Sequence, residues 1–338
     1  MGVTNEQSYS NVLNIFQEVA NQSLQFYPSL TKAHVELLNY SENATYLVRD
    51  FVNNEKYILR VNRPGYHTKE EIQSELLWLK SINLDSPIIV SLPFPGVNGE
   101  DVQEIILHEN EPPYYCTLFS FLPGESPSEE NEQELIEQFE ILGEITAHLH
   151  EHSINWNPPQ NVKRHTWTFE TILGSNPTWG RWQDGKGMTP ERIEMFQQVT
   201  EVIKQRLDQY GTSNEKFGLI HADLRLPNLI VEDKKIKVID FDDCGFSWYL
   251  FDLASSLSFI EHQPYVPELI DAWVEGYRKV RPLSKQEEAE IPTFIMMRRL
   301  MLISWIGSHD NPTSQQLGSR YTEQTDELAI RYLEKYRL

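Results

Sequence analysis

Ile220-His221-Ala222-Asp223-Leu224-Arg225-Leu226-Pro227-Asn228, followed by Lys237-Val238-Ile239-Asp240-Phe241-Asp242-Asp243, decides the fold of this chain. An Asp in a loop can take up the proton of an attacking hydroxyl. An Asn five residues on and a later Asp at a strand end offer hard oxygens suited to magnesium. The combination points to the catalytic centre of a phosphoryl-transfer enzyme. The flanking pattern gives it a frame: apolar residues lead in over 217–220, a short strand covers 229–231, a turn 233–235 and a second strand 236–241. Asp223 and Asp240 are therefore expected at either end of a tight hairpin.

Working outward, 338 residues exceed the roughly 250–300 at which single hydrophobic cores stop growing, so two lobes with separate cores are expected. The turn signal Leu122-Pro123-Gly124 marks the change of architecture and puts the boundary between 1–122 and 123–338. No apolar run approaches the roughly 20 residues of a membrane span, and no secretory signal opens the chain. Two cysteines, Cys116 and Cys244, suit a reducing cytoplasm and give no disulfide framework. The formal net charge of −21, from 29 basic and 50 acidic residues, repels nucleic acid and anionic membranes and favours cationic small molecules.

Apolar spacing predicts a helix over 5–23, then strands over 35–40, 44–51 and 56–61. A capping-box signature, Thr68-Lys69-Glu70-Glu71, opens a helix over 68–79, and strands follow at 103–108 and 115–121. Beyond the boundary, helices are expected over 132–152, 189–209, 250–261, 267–280, 285–308 and 324–337, with the 217–241 hairpin inserted among them. The fold class is α+β: a strand-rich small lobe, a short hinge and a larger helical lobe.

That order, with His221, Asp223, Asn228 and Asp240 at their spacings, resembles the aminoglycoside phosphotransferase and choline kinase-like family of the protein kinase-like fold. Its bacterial homoserine kinase-like and stress-response kinase-like members are the nearer look-alikes. The resemblance implies that Asp223 is the catalytic base, orienting the acceptor hydroxyl and taking its proton. It implies that Asn228 and Asp240 are ligands of Mg2+ and that His221 braces the catalytic loop. It further implies that Asp252 is a buried acid accepting backbone N–H bonds from that loop. Alternation along a strand would turn Asp242 to the same side as Asp240, as an auxiliary metal or substrate contact, with Asp243 facing away. Arg225 is expected either to contact a phosphate or an acidic substrate group or to form a surface salt bridge.

In the small lobe the resemblance implies an ATP site. Arg60 stands where the family carries a phosphate-binding lysine, and Glu75 resembles the carboxylate that holds that cation. Ser41 and Asn43 occupy the phosphate-covering turn, which here contains no glycine. Phe119 and Phe121 lie in the hinge analogue, expected to meet adenine through backbone groups and apolar flanks.

The acceptor is expected to be a small, cationic, hydroxyl-bearing molecule. Trp167, Phe169, Trp179 and Trp182 lie where look-alikes build the acceptor site; aromatic rings beside acids suit an amine, and ring packing under a loop is the alternative reading. A serine/threonine protein kinase of the bacterial stress-response type and a nucleotide-binding regulator without turnover are the alternatives. The sequence leaves the oligomeric state and the choice of ATP over GTP open. His148, His150 and His152 alternate near a helix end, where packing and the helix dipole explain them better than a metal.

Overall fold

A computed structural model describes residues 5–159, 161–309 and 311–336. It divides into two compact units. The first comprises the chain up to Leu84, Val90–Pro123 and a short segment ending at Lys163; the second comprises Asp85–Ile89, Gly124–Pro159 and the chain from Arg164 onward.

The first unit contains α1 (Asn5–Ser23), β1 (His34–Tyr40), β2 (Ala44–Asp50), β3 (Glu55–Asn62), α2 (Lys69–Asp85), β4 (Pro93–Phe94), β5 (Gln103–Ile105) and β6 (Tyr114–Ser120). The strands form one antiparallel sheet in the order β1-β2-β3-β6, and β4 and β5 share the far edge of β6. Phe16, Val19 and Ala20 of α1 pack with Tyr46, Val48, Leu59, Val61 and Leu118 of the sheet, so the N-terminal helix is part of this core. The capping box forms as expected: Glu71 Oε2 accepts from the Thr68 N–H at 2.7 Å, and Thr68 Oγ1 from the Glu71 N–H at 3.2 Å. The helix runs past its expected end at Leu79 because Ile82 still faces the core. β5 stops at Ile105 instead of 108, since a turn closes from Glu111 N–H to His108 O.

The second unit contains α3 (Glu132–Asn155), α4 (Phe169–Ile172), α5 (Pro190–Tyr210), β7 (Phe217–Ile220), β8 (Leu229–Glu232), β9 (Lys235–Val238), β10 (Gly245–Trp248), α6 (Leu250–Ser256), α7 (Val266–Arg278), α8 (Lys285–Glu288), α9 (Ile291–Ser308) and α10 (Pro312–Tyr336). α3 and α7 cross so closely that a Cβ on Gly276 would lie 1.8 Å from Glu140 O, and one on Gly143 2.0 Å from Trp273 O. α9 is buried around nearly its whole circumference. No helix among the described residues is long and apolar enough to cross a membrane.

Several expected boundaries move for identifiable reasons. The helix expected over 285–308 breaks into α8 and α9 because Pro292 has no N–H to continue the ladder. α6 ends at Ser256, and Phe259 behind it has φ +75°. The last helical segment starts at Pro312 and kinks at Gly318, whose φ of 51° and ψ of −138° leave the helix; Arg337, its expected end, lies outside the described residues. β8 and β9 pair through a two-residue turn with Asp233 and Lys234 both at positive φ, the mirror-type turn that matches strand twist. β7 pairs with β10, an unforeseen strand, and not with the hairpin.

Candidate active site

The loop between β7 and β8 is tethered through four consecutive backbone N–H groups. Asp252, fully buried in the first turn of α6, accepts from the Ala222 N–H at 2.7 Å on Oδ1 and from the His221 N–H at 3.2 Å on Oδ2. The Asp223 N–H donates to His221 Nδ1 at 3.2 Å, and the Leu224 N–H to Ser255 Oγ at 3.0 Å. Ala222 is held at φ +68°, a left-handed conformation that costs a non-glycine residue about 1–3 kcal/mol and persists here because Asp252 fixes the amide on one side of it and His221 Nδ1 the amide on the other.

His221 is used at both ring nitrogens. A carbonyl only accepts, so the contact of Nε2 with Ile239 O at 3.0 Å puts the proton on Nε2, and Nδ1 is the acceptor for Asp223 N–H. The ring also packs on Phe241 with centroids 4.4 Å apart. It joins the loop to the chain beyond β9, an arrangement suited to bracing and not to proton transfer.

Three donors converge on the Asp223 carboxylate. Oδ2 accepts from Arg225 Nε at 2.9 Å and Asn228 Nδ2 at 2.7 Å, and Oδ1 accepts from Arg298 Nη2 at 2.7 Å. A carboxylate offers about four lone-pair sites, so room remains for one further hydroxyl proton. Asn228 Nδ2 also donates to Asp223 O at 2.9 Å, which leaves Oδ1 as the Asn228 atom suited to a cation. The Ile239 N–H donates to Asn228 O at 3.0 Å and ties the two ends of the hairpin together. Charge attraction from Asp223, and then from Asp240 and Asp243, holds Arg225 even more firmly protonated than usual.

The expected pairing of Asp240 with Asp242 on one strand face does not occur. β9 ends at Val238, Asp240 sits at φ +60° with its residue exposed, and Asp242 is buried to 7% exposure. Buried Arg164 organises the segment behind them, donating from Nε to Cys244 O at 2.6 Å and from Nη2 to Asp242 O. Trp167 Nε1 donates to Asp243 O at 2.9 Å. The four aromatic residues expected in an acceptor site separate: Trp182 is core, packed on Phe196, Trp167 braces Asp243, and the Phe169 ring lies against Lys204. Trp179 sits against Arg298, whose guanidinium carbon is 5.7 Å from the ring centroid.

The residues singled out in the first unit have definite partners. Arg60 on β3 pairs with Glu75 on α2 at 2.6 Å, both buried, and its guanidinium lies 5.2 Å from the Phe119 ring centroid. Phe121 lies under Lys56 Nζ at 5.1 Å. Ser41 Oγ donates to Glu42 Oε2 at 2.6 Å within the turn, whereas Asn43 Oδ1 accepts from the Arg63 N–H at 3.0 Å, just beyond β3.

The pattern of the phosphotransferase enzyme family matches residues 35–283 of this sequence. The chain belongs to that family. A solved structure of a microcompartment-associated aminopropanol kinase superposes on this phosphotransferase with a TM-score of 0.87 and 39% identity, covering 95% of this chain and 99% of that one. Amicoumacin kinase of Bacillus subtilis (strain 168) is 26% identical over 284 residues, 80% of this chain and 79% of its own. A choline/ethanolamine kinase family protein from Mesorhizobium loti shares the fold alone, with a TM-score of 0.59 at 12% identity over 96% of this chain and 95% of that one. The fold is that of the protein kinase-like group, and the protein is an enzyme of the kinase type.

Besides Arg164, two features of this phosphotransferase escaped sequence reasoning. Arg298 lies 75 residues from Asp223 in an apolar helix that reads as core. His150 reads as a helix-packing residue, yet it links Asp252 to a polar chain: its Nε2 donates to Asp252 Oδ2 at 3.1 Å, its Nδ1 accepts from the Tyr277 hydroxyl at 2.9 Å, and that hydroxyl accepts from Arg281 Nη1 at 2.7 Å. Burial lowers the His150 pKa below its ordinary value, so the native ring stays neutral where an unfolded one takes up a proton. With the unfolded chain binding more protons, stability is complete above about pH 6.5 and falls as pH drops below it. His150→Gln, which can keep both hydrogen bonds, should flatten the fall in Tm between about pH 7.5 and 5.5. Equal slopes for the two proteins would refute the assignment.

Proposed function

We propose that this enzyme is an ATP- and Mg2+-dependent O-phosphotransferase whose acceptor is a small amino alcohol. The observation that carries this is the Asp223 carboxylate, fixed by three donors with one lone-pair direction left, five residues from Asn228 and beside the β8–β9 hairpin that leads to Asp240. The acceptor hydroxyl oxygen bonds to the γ-phosphorus, the bond from that phosphorus to the bridging oxygen breaks, ADP leaves with the electron pair, and the hydroxyl proton passes to Asp223. Asn228 Oδ1 and the Asp240 carboxylate are hard oxygens of the kind a divalent ion takes; such an ion, when bound, neutralises phosphate charge. An amicoumacin kinase of similar fold has been captured with AMP-PNP and Ca2+, in keeping with nucleotide and divalent-metal use.

The first unit would hold the nucleotide and the second the acceptor. Arg60, oriented by Glu75, would pair with the nucleotide phosphates. Arg60→Ala should weaken nucleotide binding by about ten- to a hundredfold, the value of a charge-assisted hydrogen bond, measured by titration with ATP. Unchanged affinity would remove Arg60 from the site. The amine-bearing acceptor is supported by the 39% identity to an aminopropanol kinase and by the net charge of −21. ADP release on aminopropanol, homoserine, choline, an aminoglycoside and a generic protein substrate tests the whole proposal; turnover on the protein substrate alone would reject the small-molecule acceptor.

A further inference from the structure

Two arginines stand side by side in α9, and both are buried. Arg299 turns into the helical core, whereas Arg298 reaches the catalytic loop. Besides Asp223 Oδ1, Arg298 donates from Nε to Ser258 Oγ at 3.0 Å and from Nη1 to Ala222 O at 3.5 Å. The rings of Trp179 and Phe251 lie 5.7 and 5.8 Å from its guanidinium carbon. One planar cation is thus fixed by the base, by the loop backbone and by two aromatic faces, which sets the orientation of the carboxylate it grips.

Trp179 adds a second observation. Its indole Nε1 is buried and has no hydrogen-bond partner among the described residues, whereas the indole of neighbouring Trp167 is satisfied by Asp243 O. A buried donor left unmet is costly, so a donor retained on the ring that packs against Arg298 calls for an acceptor supplied from outside the chain. The Arg298 guanidinium and the indole N–H of the Trp179 ring packed against it only donate. A hydroxyl matches them, since its oxygen can accept from the indole while its proton is directed to Asp223. An ammonium, with three donors and no lone pair, does not.

We propose that Arg298 is a positioning residue that orients Asp223, and that Trp179 gives its indole N–H to the acceptor hydroxyl oxygen, so that the amine end of an amino alcohol is recognised away from this wall. The proposal rests on Asp223 meeting the acceptor hydroxyl. It is tested by steady-state kinetics with ATP and aminopropanol. Trp179→Phe keeps the ring and removes the N–H, and should raise KM for aminopropanol about three- to tenfold with the effect absent from KM for ATP. Arg298→Lys keeps a charge but loses the planar fork, and should lower kcat by about tenfold or more with no matching rise in KM for ATP. Added guanidinium chloride should restore part of the kcat lost in Arg298→Ala. Wild-type constants in Trp179→Phe or Arg298→Lys, with Asp223→Ala inactive, would overturn this proposal alone. Turnover by Asp223→Ala at the wild-type rate would overturn the assignment of the base on which it rests.

Discussion

Asp223→Ala should lower kcat by about 10²- to 10⁴-fold, the usual contribution of a positioned general base, while ATP binding is retained. The nucleotide-facing residues proposed for the first unit, Arg60 and Glu75, make their ion pair independently of Asp223, so KM for ATP should move little. Asp223→Asn is the more revealing partner. Arg225, Arg298 and Asn228 all point donors at the carboxylate, so an amide would set its own NH2 against at least one of them and leave two guanidinium groups without a neutralising charge. The Asn variant should therefore lose stability as well as turnover, despite being the closer match in shape. Single-turnover ADP formation separates the two effects when read beside thermal unfolding of each variant. If a folded Asp223→Ala protein keeps turnover within about tenfold of wild type, Asp223 is not the base.

The loop around Asp223 was legible because its chemistry is local. His221, Asp223 and Asn228 lie within eight residues, and the strand that precedes them and the hairpin that follows announce themselves through alternation and a polar turn. Glu75 and Arg60 were legible for a similar reason, a strand and its following helix at a fixed spacing. What stayed hidden was set by packing over long separations. Arg298 sits in a helix whose other residues are nearly all core, and nothing in its neighbours signals that one side meets the Asp223 loop 75 residues earlier. The same holds for Arg164 and His150, whose partners Cys244 and Asp252 are 80 and 102 positions away. The placement of Asp240 and Asp242 failed on backbone detail. A strand period was extended three residues too far, and a single positive φ at Asp240 undoes the alternation.

The largest loss of stability is expected from Glu261→Ala. Arg299 Nη1 and Glu261 Oε2 meet at 2.6 Å with neither side chain exposed. Arg299 Nε also donates to Thr325 Oγ1 at 2.8 Å and Nη2 to Tyr321 O at 2.8 Å, while the Tyr321 ring covers the guanidinium carbon at 3.4 Å. The Tyr321 hydroxyl closes the set by donating to Glu261 Oε1 at 2.8 Å. The pair therefore joins α9, α10 and the turns after α6. Removing Glu261 strands a fully buried cation, which typically costs about 3–5 kcal/mol and would lower Tm by roughly 10 °C in a unit of this size. The attraction itself is a poor measure of what the pair contributes, because both charges gave up hydration to be there. Replacing both partners, Glu261→Leu with Arg299→Met, should accordingly cost less than the two single changes added together, since no unpaired charge remains. Urea unfolding of the two singles and the double gives the coupling directly. A Glu261→Ala protein within about 1 kcal/mol of wild type would mean that water or a neighbouring group neutralises Arg299, and that α10 is held by its apolar contacts instead.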